Sequence, residues 1–321
     1  NYFYSNDSSS IGFAKKTIEY ADRFLLQPSG LYGNAQDADL VQGEHAGAYF
    51  ELNNEERLKL GIPKVDTNTF TDNNAAIAIA LARLYFATNE RQYLEKALHV
   101  NELLSQRKMK NGLYSHASKS TEIASLRDQI ALFEWMIELA KIDFSNAQNN
   151  QELKELSSAI IAEFKNENGS FRSFSGTNGL QPQPLVEENI RWARMLNWYA
   201  EYSKNKDYKV IAEETYQFLI SEEVSSSYYS EPALLLLEKE LRSEPNQYVY
   251  LQSENGKSFN GVLHVVVPFY SLIFDDEFNE LPKDKQELLA RFDENILLMC
   301  TSNYCSSPMT SQEDLLKLLK K

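Results

Sequence analysis

The sequence predicts a mainly α-helical protein: an α/α toroid, complete or partial, of alternating inner and outer helices, followed by a small C-terminal α/β unit. Helices that are apolar on almost every side alternate with amphipathic helices, and three of the amphipathic helices end at a similar glycine-aromatic turn. The pattern changes to short apolar strands after Asn246. We therefore expect two domains, residues 1–245 for the toroid and residues 246–321 for the α/β unit.

The alternation of buried and amphipathic helices occurs three times along the chain. A helix that is apolar all round must be surrounded by other elements, whereas an amphipathic helix packs on one face only. The predicted inner helices cover residues 72–86, 128–140 and 189–200, and the predicted outer helices cover residues 90–106, 152–164 and 207–220. Further helices are predicted at residues 11–26, 232–241 and 312–320, and strands at residues 248–251, 263–269 and 296–299.

The glycine-aromatic turns indicate how these helices are arranged. The three turns are Gly30-Leu31-Tyr32, Gly112-Leu113-Tyr114 and Gly169-Ser170-Phe171. Each glycine stands where an outer helix should stop, and each aromatic residue can tuck under the next inner helix. The inner helices would then run parallel, with their N-termini at one mouth. Free N–H groups and positive partial charge at helix N-termini suit hydroxyl-rich, carbonyl or anionic ligands, so we expect the functional site there.

Composition and charge exclude several classes of function. The 321 residues carry a net charge of −14, with a pI of about 4.9, so nucleic acid and anionic membrane surfaces are not expected as partners. The longest uncharged apolar stretch, residues 261–274, is too short to span a bilayer and contains a proline. The first residue is Asn1, so we expect a soluble protein, cytoplasmic or exported, whose N-terminus has been removed.

Several motifs, in order along the chain, carry a resemblance to a known family. They are Gln36-Asp37-Ala38-Asp39, Gly47-Ala48-Tyr49, Thr71-Asp72-Asn73-Asn74-Ala75, Leu126-Arg127-Asp128, Glu167-Asn168-Gly169-Ser170-Phe171, and the tail from Cys300 to Cys305 with Pro308 and Thr310. Together they resemble the family typified by spermatogenesis-associated protein 20 and bacterial YyaL-type proteins, in which a thioredoxin-like domain precedes a six-hairpin, glycosidase-like barrel. This chain resembles the barrel and C-terminal part of that family, without the thioredoxin-like domain. The resemblance implies a fold similar to that of glycosidases and sugar epimerases.

Four carboxylates are the candidate catalytic residues. Asp37 and Asp39 lie on the longest loop, and Asp72 and Asp128 lie at the starts of inner helices. Paired carboxylates can cleave a glycosidic bond, with one acting as acid and the other as base or nucleophile. The alternative for Asp72 and Asp128 is that they cap their helices or interact with the helix dipole.

Six other residues are predicted to bind a ligand. They are His45, Asn74, His116, Glu188, Arg191 and Trp192. The two histidines lie on loops that lead to inner helices, so either could act as a general base, as histidines do in sugar epimerases of similar fold; otherwise they are solvated bystanders. Trp192 could stack on a sugar ring, or it could pack in the core.

No metal or other cofactor is predicted. No histidine or carboxylate pair has helix spacing with a third ligand nearby, and there is no glycine-rich nucleotide loop. Cys300 and Cys305 are spaced for a hairpin disulfide or for two reduced thiols, and not for a redox C-x-x-C motif.

Two functions follow as hypotheses. The first is a carbohydrate-binding or carbohydrate-processing barrel, with acid/base chemistry like that of a glycosidase or sugar epimerase if it is an enzyme. The second is a non-catalytic scaffold that binds a protein partner or a thioredoxin-like domain. An open, carboxylate-lined mouth favours the first hypothesis, and a mouth filled by side chains favours the second.

Overall fold

The computed structural model describes residues 8–118, 123–142, 147–176, 182–228, 231–251, 263, 268–275, 287, 296–301 and 303–319. It shows the predicted α/α toroid with a small C-terminal α/β unit. The helices are α1 Ser8–Phe24, α2 Gly47–Glu51, α3 Asn54–Leu60, α4 Thr71–Thr88, α5 Arg91–Ser105, α6 Leu126–Ile142, α7 Ala147–Phe164, α8 Val186–Ser203, α9 Asp207–Leu219, α10 Glu222–Ser225, α11 Pro232–Leu241 and α12 Gln312–Leu319. The strands are β1 Ala35–Gln36, β2 Val65–Asp66, β3 Asn246–Leu251, β4 Ser271–Asp275 and β5 Ile296–Cys300.

The inner helices are α4, α6 and α8, and they pack side by side. α6 contacts both α4 and α8, while the outer helices α5, α7 and α9 each pack on the inner helix that precedes them in sequence. α6 is buried along nearly its whole length, including Phe133 and Trp135 at 0% exposure. The predicted alternation of buried and amphipathic helices is therefore confirmed.

Each inner helix holds the preceding glycine-aromatic turn with a side-chain amide. Gly30, Gly112 and Gly169 have φ values of 84°, 84° and 82°, in the left-handed region that favours glycine. The peptide N–H groups of Tyr32, Tyr114 and Phe171 donate to the side-chain oxygens of Asn74, Gln129 and Asn189 at 2.8, 2.8 and 2.7 Å, and the side-chain nitrogens donate back to the carbonyls of the same aromatic residues at 3.0, 2.9 and 2.9 Å. We call these paired bonds the amide clamps. They fix each loop to the first turn of the next inner helix.

We expect Asn189→Ala to lower the free energy of unfolding by about 2–4 kcal/mol, because it removes three side-chain hydrogen bonds, one to the carbonyl of Leu185 and two to Phe171, whose N–H and carbonyl lose their partner. The control is Asn73→Ala, which removes an exposed bond to Asn34 and is expected to change stability by about 0.5 kcal/mol or less. Urea unfolding followed by circular dichroism measures both variants. Equal effects of the two substitutions would contradict a structural role for the clamp.

The long loop between α1 and α4 contains structure that the sequence did not predict. The short helices α2 and α3 lie within it, and β1 pairs antiparallel with β2. Asn53 caps α3, since its side chain accepts from the N–H of Glu56 while the Glu56 carboxylate accepts from the N–H of Asn53. This capping box stabilises the N-terminus of α3.

The C-terminal α/β unit is a three-stranded sheet with α12 packed on it. The strand order is β4-β3-β5, with β3 parallel to β4 and antiparallel to β5. The indole N–H of Trp198 on α8 donates to the carbonyl of Ser271 at 2.9 Å, which joins the sheet to an inner helix. The predicted strand at residues 263–269 is wrong where the structure describes it, because Leu263 is helical and β4 begins only at Ser271. Residues 264–267 lie outside the described residues. The division of the chain into two domains stays a prediction.

A disulfide joins Cys300, the last residue of β5, to Cys305 across a hairpin. The bond closes the short turn that follows the strand. Within the part of the chain that the structure describes, the search for membrane spans found no helix with the length and hydropathy needed to cross a bilayer.

Candidate functional site

A cavity of about 620 Å³ opens where the N-terminal ends of α4, α6 and α8 meet. We call it the mouth cavity. Its lining includes Phe70, Asp72, His116, Arg127, Phe174 and Glu188. First-turn residues of three inner helices thus surround one space, as the glycine-aromatic turns predicted.

The repeat places equivalent residues around this cavity. The residue before each clamping amide is Asn73, Asp128 or Glu188, and the second residue after each clamped aromatic is Asn34, His116 or Ser173. In the first repeat the Asn73 side chain donates to Asn34 at 2.7 Å. In the second repeat the same two positions hold His116 and Asp128, with Nδ1 of the histidine 3.1 and 3.0 Å from the two carboxylate oxygens. Equivalent positions therefore hold an asparagine pair in the first repeat and a histidine-aspartate pair in the second.

His116 is held in place from several directions. Its ring stacks on Phe70 with 4.2 Å between ring centroids, and its carbonyl accepts from the N–H of Thr71 at 2.9 Å. The side chain keeps 44% of its surface exposed at the mouth, whereas Asp128 is fully buried. His116 is therefore not the solvated bystander that the sequence allowed as an alternative.

Asp128 also caps a neighbouring helix. Its Oδ1 accepts from the backbone N–H of Asp72 at 3.0 Å, and that N–H belongs to the first turn of α4. N–H groups in the first turn of a helix have no partner within the helix, so an acceptor from α6 satisfies one of them. The predicted capping role is thus real for Asp128, but it acts on α4 and not on its own helix. The N-cap of α4 is Phe70, and Asp72 is not a cap.

Burial dominates the electrostatics of the two acids beside the cavity. Burial raises the pKa of Asp128 to about 6, although the hydrogen bond from His116 acts in the opposite direction. Burial likewise raises the pKa of Glu188, and Arg127 opposes this with its Nε 3.4 Å from Oε1. The Oε2 atom of Glu188 is buried without a hydrogen-bond partner among the described residues. Both carboxyl groups hold a proton at a higher pH than usual.

Three potential metal ligands also meet here. Asp72, His116 and Asp128 each offer one ligand atom, and these atoms lie within 4.8 Å of one another. They come from α4, a loop and α6, so helix spacing in the sequence could not reveal them. Asp128 and His116 already satisfy each other by a hydrogen bond. The absence of a metal stays a prediction.

Two predicted catalytic acids and one histidine lie away from the mouth cavity. Asp37 lines a separate cavity of about 520 Å³. Its backbone N–H donates to the carbonyl of Lys64 at 2.8 Å, which holds the loop against β2, and its Oδ1 accepts from the N–H of Asp39 at 3.1 Å. His45 is exposed on the same loop and does not line the mouth cavity. Asp37, Asp39 and His45 are therefore not among the residues that line the mouth cavity, although Asn34 and Phe70 of the same loop are.

Three predicted ligand-binding residues have structural contacts instead. Asn74 is fully buried in an amide clamp. Trp192 is fully buried with its ring against Phe133 and Phe171, so core packing, the alternative for this residue, is the correct one. Arg191 forms an ion pair with Glu134 at 2.9 Å and does not line the mouth cavity. The predicted residues that meet at the mouth are Asp72, His116, Asp128 and Glu188.

Some residues at the cavity were not predicted from the sequence. Phe70 and Phe174 lie on the loops that lead to inner helices, and Phe174 is 49% exposed. The aromatic residue that the sequence predicts as a ligand contact, Trp192, lies within a predicted inner helix. An exposed aromatic residue shortly after a glycine-aromatic turn is the signal that could have found Phe174.

Comparison with known proteins identifies the fold and no family. No family model matches the chain, and no curated protein matches it in sequence. Among solved structures it is similar to cellobiose 2-epimerase from Bacillus thermoamylovorans B4167 (TM-score 0.53, 9% identity), a sugar epimerase from a ruminal bacterium (0.53, 14%) and a D-mannose isomerase (0.51, 13%). The chain has the six-hairpin glycosidase-like fold. The matches cover 68%, 68% and 69% of this chain, which spans 55%, 55% and 53% of those proteins, a little over half of each. Membership of the family suggested by the sequence motifs stays a prediction.

Proposed function

We propose that the mouth cavity binds a reducing sugar and that His116 moves a proton at the carbon next to the sugar carbonyl. The observation that carries this proposal is a partly exposed histidine held on a buried carboxylate inside a cavity at three helix N-termini. Two of the similar structures are named as sugar epimerases and one as a mannose isomerase. Epimerisation at C2 and aldose-ketose isomerisation both begin with removal of the proton at C2.

His116 is the proposed base. When Nδ1–H donates to the Asp128 carboxylate, the lone pair of Nε2 is left for the substrate. The base takes the C2 proton, the electron pair of the broken C–H bond moves toward the carbonyl, and negative charge develops on the carbonyl oxygen. Asp128 stabilises the imidazolium that forms. For the epimer, the enediolate turns within the cavity or a second acid supplies the proton, so that C2 is protonated on the opposite face. For the ketose, the proton returns to C1 while the O2 proton passes to O1, which leaves the carbonyl at C2.

Glu188 is the proposed acid. Because burial raises its pKa, a larger fraction of this carboxyl group is protonated than for an exposed glutamate, so it can donate to a sugar oxygen. The N-termini of α4 and α6 add positive partial charge where the oxyanion would form. Phe70 and Phe174 offer apolar surface for the C–H face of a sugar ring.

The direct test is hydrogen-deuterium exchange at C2. The full chain is incubated in D₂O with glucose, mannose and cellobiose, and the C2 proton is followed by NMR. We expect the C2 signal of at least one sugar to decay, with no decay in the absence of protein. Binding of these sugars without exchange would contradict the proposed chemistry, and cleavage of a glycoside without exchange would replace it by glycosidase chemistry.

The alternative hypothesis, a scaffold for a protein partner or a thioredoxin-like domain, expected the mouth to be filled by side chains. The open cavity with Asp72 and Glu188 in its lining does not fit that expectation. The resemblance of the sequence motifs to a family with a glycosidase-like barrel also supports a sugar ligand.

A further inference from the structure

A second cavity, of about 900 Å³, lies behind the segments that carry His116. Two segments, residues 69–71 and 115–116, form a wall in which the N–H of Thr71 donates to the carbonyl of His116 at 2.9 Å. Phe70 and His116 line the mouth cavity, whereas Thr69 and Ser115 line the second cavity. Neighbouring residues of each segment thus line different cavities, so the two cavities lie on opposite sides of this wall.

The central residue of the second cavity is Arg107, which follows α5. It is only 8% exposed. Its guanidinium donates to the hydroxyl oxygens of Thr71 and Thr69, both at 2.8 Å, and to the carbonyl of His116 at 3.3 Å. It therefore binds both segments of the wall.

Arg107 is a buried cation whose hydrogen-bond acceptors are all neutral. No carboxylate among the described residues forms an ion pair with it, and Asp128 acts on it only at longer range. Burial of the charge lowers its pKa. A buried charge without a counter-ion is costly, and a guanidinium has five N–H donors in a planar fork, of which the contacts above use three. That fork matches the geometry of phosphate oxygens.

The other groups around the cavity also suit an anion. Lys108 and Lys110 line it together with hydroxyl and amide side chains, and none of its described lining residues is acidic. Lys108 is paired with Glu155 at 2.7 Å, whereas Lys110 is exposed and has no ion pair among the described residues. This concentration of positive charge stands in a chain with a net charge of −14.

We propose that the second cavity is a binding site for a phosphate group, held by Arg107 and Lys110 with the hydroxyl and amide groups around them. The site is separate from the mouth cavity and does not depend on the sugar chemistry proposed there. The phosphate group belongs either to free inorganic phosphate or to a phosphate ester.

Isothermal titration of the full chain tests the proposal, with sodium phosphate and glucose 6-phosphate as probes at constant ionic strength and glucose as the control for the mouth cavity. We expect saturable binding of at least one phosphate probe. Lys110→Gln should weaken it by about three- to tenfold, because one charge contact is lost. Arg107→Gln should abolish it. Lys59→Gln makes the same charge change at an exposed lysine on α3, away from the cavity, and should leave the affinity unchanged.

The two probes separate the sources of the phosphate group. Tighter binding of glucose 6-phosphate than of inorganic phosphate, weakened in the Lys110 variant, identifies an ester as the ligand, and the reverse order identifies free phosphate. Lys110→Gln removes no hydrogen bond or ion pair to the described residues, so the test holds even if Arg107→Gln fails to fold. Absence of saturable binding by either probe, or equal binding by the Lys110 and Lys59 variants, would overturn the proposal.

Discussion

Replacing His116 with asparagine is expected to slow proton exchange at C2 of the sugar by about 10²- to 10⁴-fold, the usual contribution of a general base. Asparagine keeps a polar side chain near Asp128 but has no nitrogen that can take up a proton at neutral pH. The side chain of His116 is 44% exposed, so the folded state should be retained. NMR in D₂O, as described for the wild type, gives the exchange rate.

The control for this variant is His99→Asn. His99 lies on the outer helix α5 with 59% of its side chain exposed, and its only ion-pair neighbour among the described residues is Glu102. Its replacement should leave the exchange rate unchanged. If both variants keep the wild-type rate while the protein still binds the sugar, His116 is not the base.

The second large effect is expected for Asp128→Asn, which should remove activity and at the same time change how stability depends on pH. Burial raises the pKa of Asp128 from 3.8 to about 6, so the folded chain binds more protons than the unfolded chain between these values. The free energy of unfolding contributed by this group therefore falls as the pH rises from about 4 to about 6, and stays low above that range.

The asparagine variant resembles the protonated acid and lacks this fall. Relative to the wild type, it should gain roughly 3 kcal/mol of stability between about pH 4 and about pH 8. Proton exchange should drop as in the His116 variant, because the imidazolium loses its carboxylate. Urea unfolding at several pH values and the exchange assay measure the two effects separately.

Asp37→Asn makes the same substitution at an exposed carboxylate on the loop before α2 and serves as the control. Its stability curve should run parallel to that of the wild type. A parallel curve for Asp128→Asn as well would show that Asp128 does not titrate in the expected range.

The sequence predicts the helices well, because the buried faces of helices produce a periodic pattern of apolar residues. The first inner helix was predicted at residues 72–86 and spans Thr71–Thr88; α11 was predicted at residues 232–241 and spans Pro232–Leu241. The amide clamps produce a weaker signal in the sequence. Each clamping amide is the fourth residue of its inner helix, as Asn189 is in α8, but one polar residue in an apolar run does not reveal a partner on a distant turn. Alignment of the three turns would have shown it.

The sequence predicts the site only in part, because its side-chain pairings depend on contacts between residues that are distant in sequence. His116 and Asp128 were both candidates, since each stood next to an inner helix, but their pairing depends on the clamp that fixes the preceding Tyr114. The sequence does not predict the place of Asp37, because its loop is held by a backbone hydrogen bond to Lys64, just before β2, and no residue type encodes such a bond. Arg107 was missed because its contacts to Thr69 and Thr71 connect residues 38 and 36 positions apart.

The wall between the mouth cavity and the second cavity has a thermodynamic consequence for binding. Arg107 donates hydrogen bonds to both segments of this wall, and the side chain of His116 belongs to the mouth cavity on the other side. A ligand that rigidifies the wall from one cavity reduces the conformational entropy that the wall still loses when a ligand binds in the other cavity. Linkage then requires reciprocity: the factor by which the first ligand improves the affinity of the second equals the factor by which the second improves that of the first.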